Sequence, residues 1–128
     1  MRHYDLMREI LLKASSQRKQ ELSEMAGLIK HSFYSKHDLI AEVAQLSRDS
    51  LIFADIQIGA NGVLLSGEIG GLTTEGIEFL KLVENSDVWE ICSRTLKDAK
   101  VDLPYPILKE LCEKILKRYV FGKIPSDI

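Results

Sequence analysis

Three histidines, two cysteines and a run of glycines are the residues in this 128-residue chain whose types could do chemistry. His3, His31 and His37 could ligate a metal, but neither with one another nor with the cysteines do they show ligand spacing. Through space, His31 and His37 could still meet; two unrelated surface histidines are the plainer expectation. Cys92 and Cys112 both fall inside helical patterns. Buried thiols in apolar surroundings act as small hydrophobes, so neither is expected to be a nucleophile. Gly59, Gly62, Gly67, Gly70 and Gly71 could cradle a phosphate, yet no GxxxxGK[ST] or GxGxxG run is present and no lysine is near. Turn chemistry accounts for them. Glu75 and Glu78 read as helix-surface carboxylates, not an acid–base pair. The chain is therefore expected not to be an enzyme and to carry no cofactor and no metal.

Binding is the remaining kind of chemistry, and there the placement of charge matters. Seventeen lysines and arginines face nineteen carboxylates, a net charge of −2. The chain as a whole has no electrostatic pull toward nucleic acid. Locally, Arg2, Arg8, Lys13, Arg18, Lys19, Lys30 and Lys36 give the first three dozen residues a modest positive excess. From Asp49 to Leu80 there is no lysine or arginine, while Asp49, Asp55, Glu68, Glu75 and Glu78 all lie there.

The elements that would position these groups follow from apolar spacing. Leu6, Met7, Ile10, Leu11 and Ala14 make one stripe of a first helix. Leu22, Met25, Ala26 and Ile29 suggest a short second helix within 19–31, part of that stretch being extended. YSKHDLIAEVAQLSRDSLI then reads as a third helix. Ser35 caps it, with Asp38 in capping-box position. Leu39, Ile40, Val43 and Leu46 face inward; His37, Ala41, Glu42, Gln45 and Arg48 face outward. Ile52, Ala54, Ile56 and Ile58 alternate with Phe53, Asp55 and Gln57, which is strand spacing. Gly59, Asn61 and Gly62 supply a turn, and a second strand runs from Val63 to Leu72. Thr73 and Glu75 open a fourth helix with Ile77, Leu80 and Val83 on one face. A fifth carries Val88, Trp89, Cys92, Thr95 and Leu96. The last, PILKELCEKILKRY, bears a stripe from Ile107 to Tyr119.

Helix, helix, helix, hairpin is the order of a winged helix. The expected fold class is α+β: three helices plus a β-hairpin wing over 1–84, with additional C-terminal helices over 85–128. Those helices either pack on the wing domain or form a homodimer face through Leu108, Leu111, Ile115 and Tyr119. There is no signal peptide and no apolar run of membrane-spanning length, so a cytoplasmic location is expected.

Three segments of the chain resemble the YjcQ-like winged-helix proteins of phages and prophages, a family of unknown function. They are HYDLMREILLK, YSKHDLIAEVAQLSRDSLI and LTTEGIEFLKLVENSDVW. The resemblance implies a winged helix of phage origin and brings no chemistry with it. Leu39, Val43, Leu46, Leu72, Thr73, Gly76, Phe79, Leu80 and Trp89 match its packing framework. Ala41 and Glu42 stand where many relatives show a Tyr-His pair, and Thr74 and Ile77 where relatives often show an aromatic residue and a histidine.

Two functions are compatible with these features. A non-enzymatic protein-interaction module would use the outward face of the third helix, His37, Ala41, Glu42, Gln45 and Arg48, against a host or phage protein. This reading is favoured, because an acidic wing repels phosphate. The alternative is a DNA-binding transcription regulator, reading bases with Gln45 and Arg48 and holding phosphates with Arg18, Lys19, Lys30 and Lys36.

Overall fold

The computed structural model describes residues 2–28, 34–61 and 64–122, without the side chains of 26, 28, 58, 64 and 65. They fall into two compact units, Arg2–Leu80 and a second that begins at Lys81.

The first unit opens with α1 (Tyr4–Ala14), which buries Leu6, Met7, Ile10, Leu11 and Ala14, the expected stripe. Gln17 then takes a left-handed conformation (φ 61°), and a two-residue strand follows, β1 (Gln20–Glu21). The short helix α2 (Leu22–Leu28) comes next, so the stretch that begins at residue 19 is extended first and helical after. α3 (Lys36–Arg48) precedes the hairpin of β2 (Ile52–Ile58) and β3 (Leu64–Leu72). α4 (Thr74–Val83) leaves the hairpin, and the boundary between the units falls after its Leu80.

The sheet is antiparallel in the order β1-β3-β2. β1 joins the hairpin through the pairs Gln20↔Ile69 and Glu21↔Glu68. Helix, strand, helix, helix, strand, strand, with the first strand on the outer edge of the hairpin, is the winged-helix topology. The fold class is α+β, as the spacing implied. The extended part of the stretch is this third strand, whose two residues are too few to show a period of two.

Alternation on the hairpin is preserved. Ile69 is fully buried and Ile52 nearly so, while Phe53, Asp55 and Gln57 point to solvent. Leu22, Met25, Val43, Leu46 and Leu51 complete the core, each worth about 1.5–3 kcal/mol on full burial. A buried polar residue ties β1 to α1: the Gln20 amide donates to Lys13 O at 3.1 Å and to Ser16 Oγ at 3.3 Å. At the base of the wing, Gln17 Oε1 accepts from the Leu72 N–H at 2.7 Å. Gly71 beside it has φ 113°, and a Cβ there would strike the Gln17 amide.

The start of α4 is fixed by its sequence. The Thr73 hydroxyl accepts from the Gly76 N–H at 3.0 Å and donates to Ser50 O at 2.6 Å. Gly76 packs so close to Leu51 that any Cβ would overlap its carbonyl oxygen. α4 buries Phe79, Leu80 and Val83; Ile77, expected on that face, is 38% exposed, and Phe79 holds the buried position.

The second unit contains α5 (Ser86–Ala99) and α6 (Tyr105–Phe121), packed against each other. The Asn85 side chain caps α5, accepting from Asp87 N–H at 2.9 Å and Val88 N–H at 3.1 Å. Lys100 ends it in a left-handed conformation. α5 buries Val88, Trp89, Cys92, Ser93 and Leu96; Thr95 is exposed, its hydroxyl donating to Ile91 O. α6 buries only Leu108 and Cys112. Leu108, expected on a homodimer face, is fully buried and not available to a partner. Leu111, Ile115 and Tyr119 are half-buried, and the Tyr119 hydroxyl donates to Asp87 Oδ2 at 3.2 Å. Ile107, the first residue of the stripe, stands 49% exposed.

Candidate nucleic-acid interface

α3 begins where it does because Ser35 and Asp38 close a capping box. Ser35 Oγ accepts from the Asp38 N–H at 3.1 Å, and Asp38 Oδ2 accepts from the Ser35 N–H at 2.9 Å. These bonds, chiefly the one from the Ser35 backbone, hold the Asp38 carboxyl below its ordinary range. His3 Nε2 lies 3.4 Å from Asp38 Oδ1, and its ring meets Tyr34 edge-on with centroids 5.0 Å apart.

The second acid of the helix is not where helical spacing placed it. Glu42 is 4% exposed and does not belong to the outward face. Its Oε2 accepts from Arg2 Nη2 at 3.0 Å and its Oε1 from the His3 N–H at 3.0 Å. The side chains of this pair are 12% and 5% exposed, so the charge is neutralised out of water. Glu42 sits one position from Val43 on the edge of the buried stripe. There, inward and outward differ by a partner that lies 40 residues earlier in the chain. Nothing in the local pattern points to Arg2.

Asp49, at the end of the helix, accepts from Gln45 Nε2 at 3.2 Å, and Gln45 Oε1 accepts from Arg48 Nη2 at 3.2 Å. Gln45 is half-buried, whereas His37, Ala41 and Arg48 are exposed. The outward surface of α3 is therefore His37, Ala41, Ala44, Gln45 and Arg48. Small residues occupy its centre and a guanidinium one end, and each nearby carboxylate is already bonded within the protein.

The remaining predicted contacts are dispersed. Arg18 Nη2 lies 3.4 Å from Glu24 Oε1, and Lys19 is exposed beside β1. Lys30 and His31 lie outside the described residues. Lys36, at the first turn of α3, lines an open depression of about 510 Å³ together with Glu21, Asp55 and Glu68. Those three carboxylates stand in register across the sheet, Glu21↔Glu68 on one side and Asp55↔Glu68 on the other. The row is exposed and occupies the sheet face opposite buried Ile69. Among the described residues, no group of three or more histidines, cysteines and carboxylates is placed to hold a metal ion. No helix among them is long and apolar enough to cross a membrane.

A family model described as "Hypothetical protein (DUF2513)" matches residues 1–102. An uncharacterized protein of Haemophilus influenzae is 29% identical over 120 residues, covering 91% of this chain and 96% of its own length. Among solved structures, a PadR-like transcriptional regulator from Bacillus cereus is similar with a TM-score of 0.45 and 19% identity, over 77% of this chain and 96% of that one. The winged-helix assignment rests on the chain's own element order and strand register.

Proposed function

We propose, from the premise that the chain belongs to the family described as "Hypothetical protein (DUF2513)", that it is a non-enzymatic winged-helix protein that docks duplex DNA through α3. The carrying observation is the state of the acids on that helix. With Glu42 bound to Arg2 and His3, and Asp38 bound to Ser35 and His3, the outward face presents His37, Ala41, Ala44, Gln45 and Arg48. The objection that α3 holds more acid than base thereby loses its force. Small Ala41 and Ala44 would let the helix approach a groove floor closely, and Arg48, exposed at the end of that face, would read guanine. Lys19 and Arg18 supply phosphate contacts.

The wing takes little part in this reading, because its outer face carries the carboxylate row. Few phosphates are then neutralised, and the salt dependence is shallow. Fluorescence titration of mixed-sequence duplex at low and moderate salt tests the proposal. Binding at low salt that weakens with a log–log slope of about −2 to −4 supports it. No binding at low salt refutes it.

A second reading, a protein-interaction module, is favoured by one observation, the row of Glu21, Glu68 and Asp55. Residues 2–80 also hold eight lysines and arginines against eleven carboxylates. That face suits a basic surface of a host or phage protein, and Glu68→Gln with Asp55→Asn would weaken such binding while sparing DNA binding. A phage or prophage setting is part of the proposal through the YjcQ-like resemblance, as is action in the cytoplasm. A homodimer would use Leu111, Ile115 and Tyr119 with exposed Ile107.

A further inference from the structure

β2 is an edge strand: in the order β1-β3-β2 it is paired on its β3 side alone. Among the described residues, no backbone group of 52–57 bonds outside the hairpin. Every second residue of such a strand turns its N–H and C=O away from its neighbour. Edges of this kind are usually blunted by proline, lysine or a bulge. IFADIQI holds neither proline nor lysine. Both register shifts of the hairpin fall on β3, which passes over Gly70 and Leu65, so β2 stays regular through its seven residues. The outer face of the strand is also incomplete. Phe53 is 60% exposed, and the β3 residues beside it, Gly70 and Gly71, offer no side chain to cover its ring. Two positions on, Asp55 brings the row of Glu21, Glu68 and Asp55 to the open edge. Among the described residues none of these carboxylates is in an ion pair; Asp55 accepts only from Gln57 of its own strand.

We propose that the β2 edge takes up an extended segment of another protein as a fourth strand, with lysine or arginine opposite Asp55 and an apolar side chain two positions away, beside Phe53. This deepens the protein-interaction reading given above and rests on it, through the same carboxylate row. An added strand lies about 4.7–4.9 Å from its neighbour. Side chains directly opposite each other then stand about 4.5–5.5 Å apart at Cβ. A cation opposite Asp55 extends the row of three acids with the charge it lacks. The apolar residue covers Phe53 from the side that Gly70 and Gly71 leave bare. Main-chain bonds along β2 supply affinity, and the two side chains set specificity. β2 of a second copy does not fit. No lysine or arginine occurs from Asp49 to Leu80, and antiparallel pairing centred on Asp55 sets carboxylate against carboxylate. The occupant is a different, basic chain.

The test uses the full-length chain and a fluorescein-labelled nonapeptide of alternating threonine and valine, in which leucine and lysine replace two valines two positions apart. Fluorescence polarisation should show saturable binding below about 1 mM peptide. Amide exchange followed by NMR should slow at alternate residues of 53–57. Methylating one set of alternate peptide nitrogens should weaken binding about tenfold or more, and methylating the other set should leave it nearly unchanged. Asp55→Asn, or glutamate in place of the peptide's lysine, should weaken it about two- to fivefold. Because the block sits in the peptide, the central arm needs no variant to fold. Equal binding by both methylated peptides, or unchanged exchange along β2, overturns strand addition. Hexalysine separates that failure from failure of the acidic-face reading. If hexalysine binds the wild type but not Glu68→Gln with Asp55→Asn, and the nonapeptide does not bind, the acidic face stands and strand addition is overturned. If neither probe binds, both fall.

Discussion

Glu42 shows how one side chain changes the reading of a helix. Its two oxygens accept from Arg2 Nη2 and from the His3 N–H, each at 3.0 Å, almost out of water. Removing the carboxylate leaves a poorly hydrated guanidinium and an N–H without that acceptor. Glu42→Ala should therefore destabilise the protein by about 2–3 kcal/mol. Urea unfolding with an unchanged m-value measures it, and a loss below about 0.5 kcal/mol would show the pair to be marginal. Asp38 makes a different prediction. Its carboxyl is held below the ordinary carboxylate range by Ser35, so its contribution is present above that range. It is lost as pH falls through the lower, folded-state value. Melting temperatures taken from about pH 5 down to pH 2 should fall less steeply for Asp38→Asn than for the wild type. Identical slopes would mean that the capping box does not report on acid stability.

At the scale of elements, what was legible depended on how local each determinant is. The capping box at Ser35, the alternation from Ile52 to Gln57 and the Thr73 cap are set by residues within four positions of one another, and the structure places them as the spacing implied. β1 was not legible as a strand, because two residues show no period and its pairing needs Ile69 and Glu68 nearly fifty positions away. The inward turn of Glu42 is of the same kind. It depends on a contact that only the assembled fold supplies. Gly76 marks the junction between wing and α4. Gly76→Ala should cost about 2–3 kcal/mol or more, because the opposing group is the backbone of Leu51 and has little room to yield. Thermal unfolding checks this; an unshifted midpoint would contradict the packing described. On the sheet, Glu68 faces Glu21 on one side and Asp55 on the other. Glu68→Gln should stabilise the wing by about 0.2–1 kcal/mol at low salt, and by less as salt rises. Destabilisation in the same urea experiment would mean that the row is held by a cation.

At the scale of the first unit, two surfaces differ in charge, although Lys36 stands beside the carboxylates of the sheet. The outward side of α3 carries Arg48 and His37, and the outer sheet face carries Glu21, Glu68 and Asp55. Net charge is a poor guide to such a chain, because what a polyanion meets is one face at a time. The most direct check of α3 as the docking element compares duplex affinity for the wild type, Arg48→Ala and Arg118→Ala at one low salt concentration. Arg118 is an exposed arginine of the second unit and serves as the control. Arg48→Ala should lose about 1–3 kcal/mol of binding free energy while Arg118→Ala stays within about 0.5 kcal/mol of the wild type. Equal affinities for the wild type and Arg48→Ala, or a larger loss at Arg118, would contradict it.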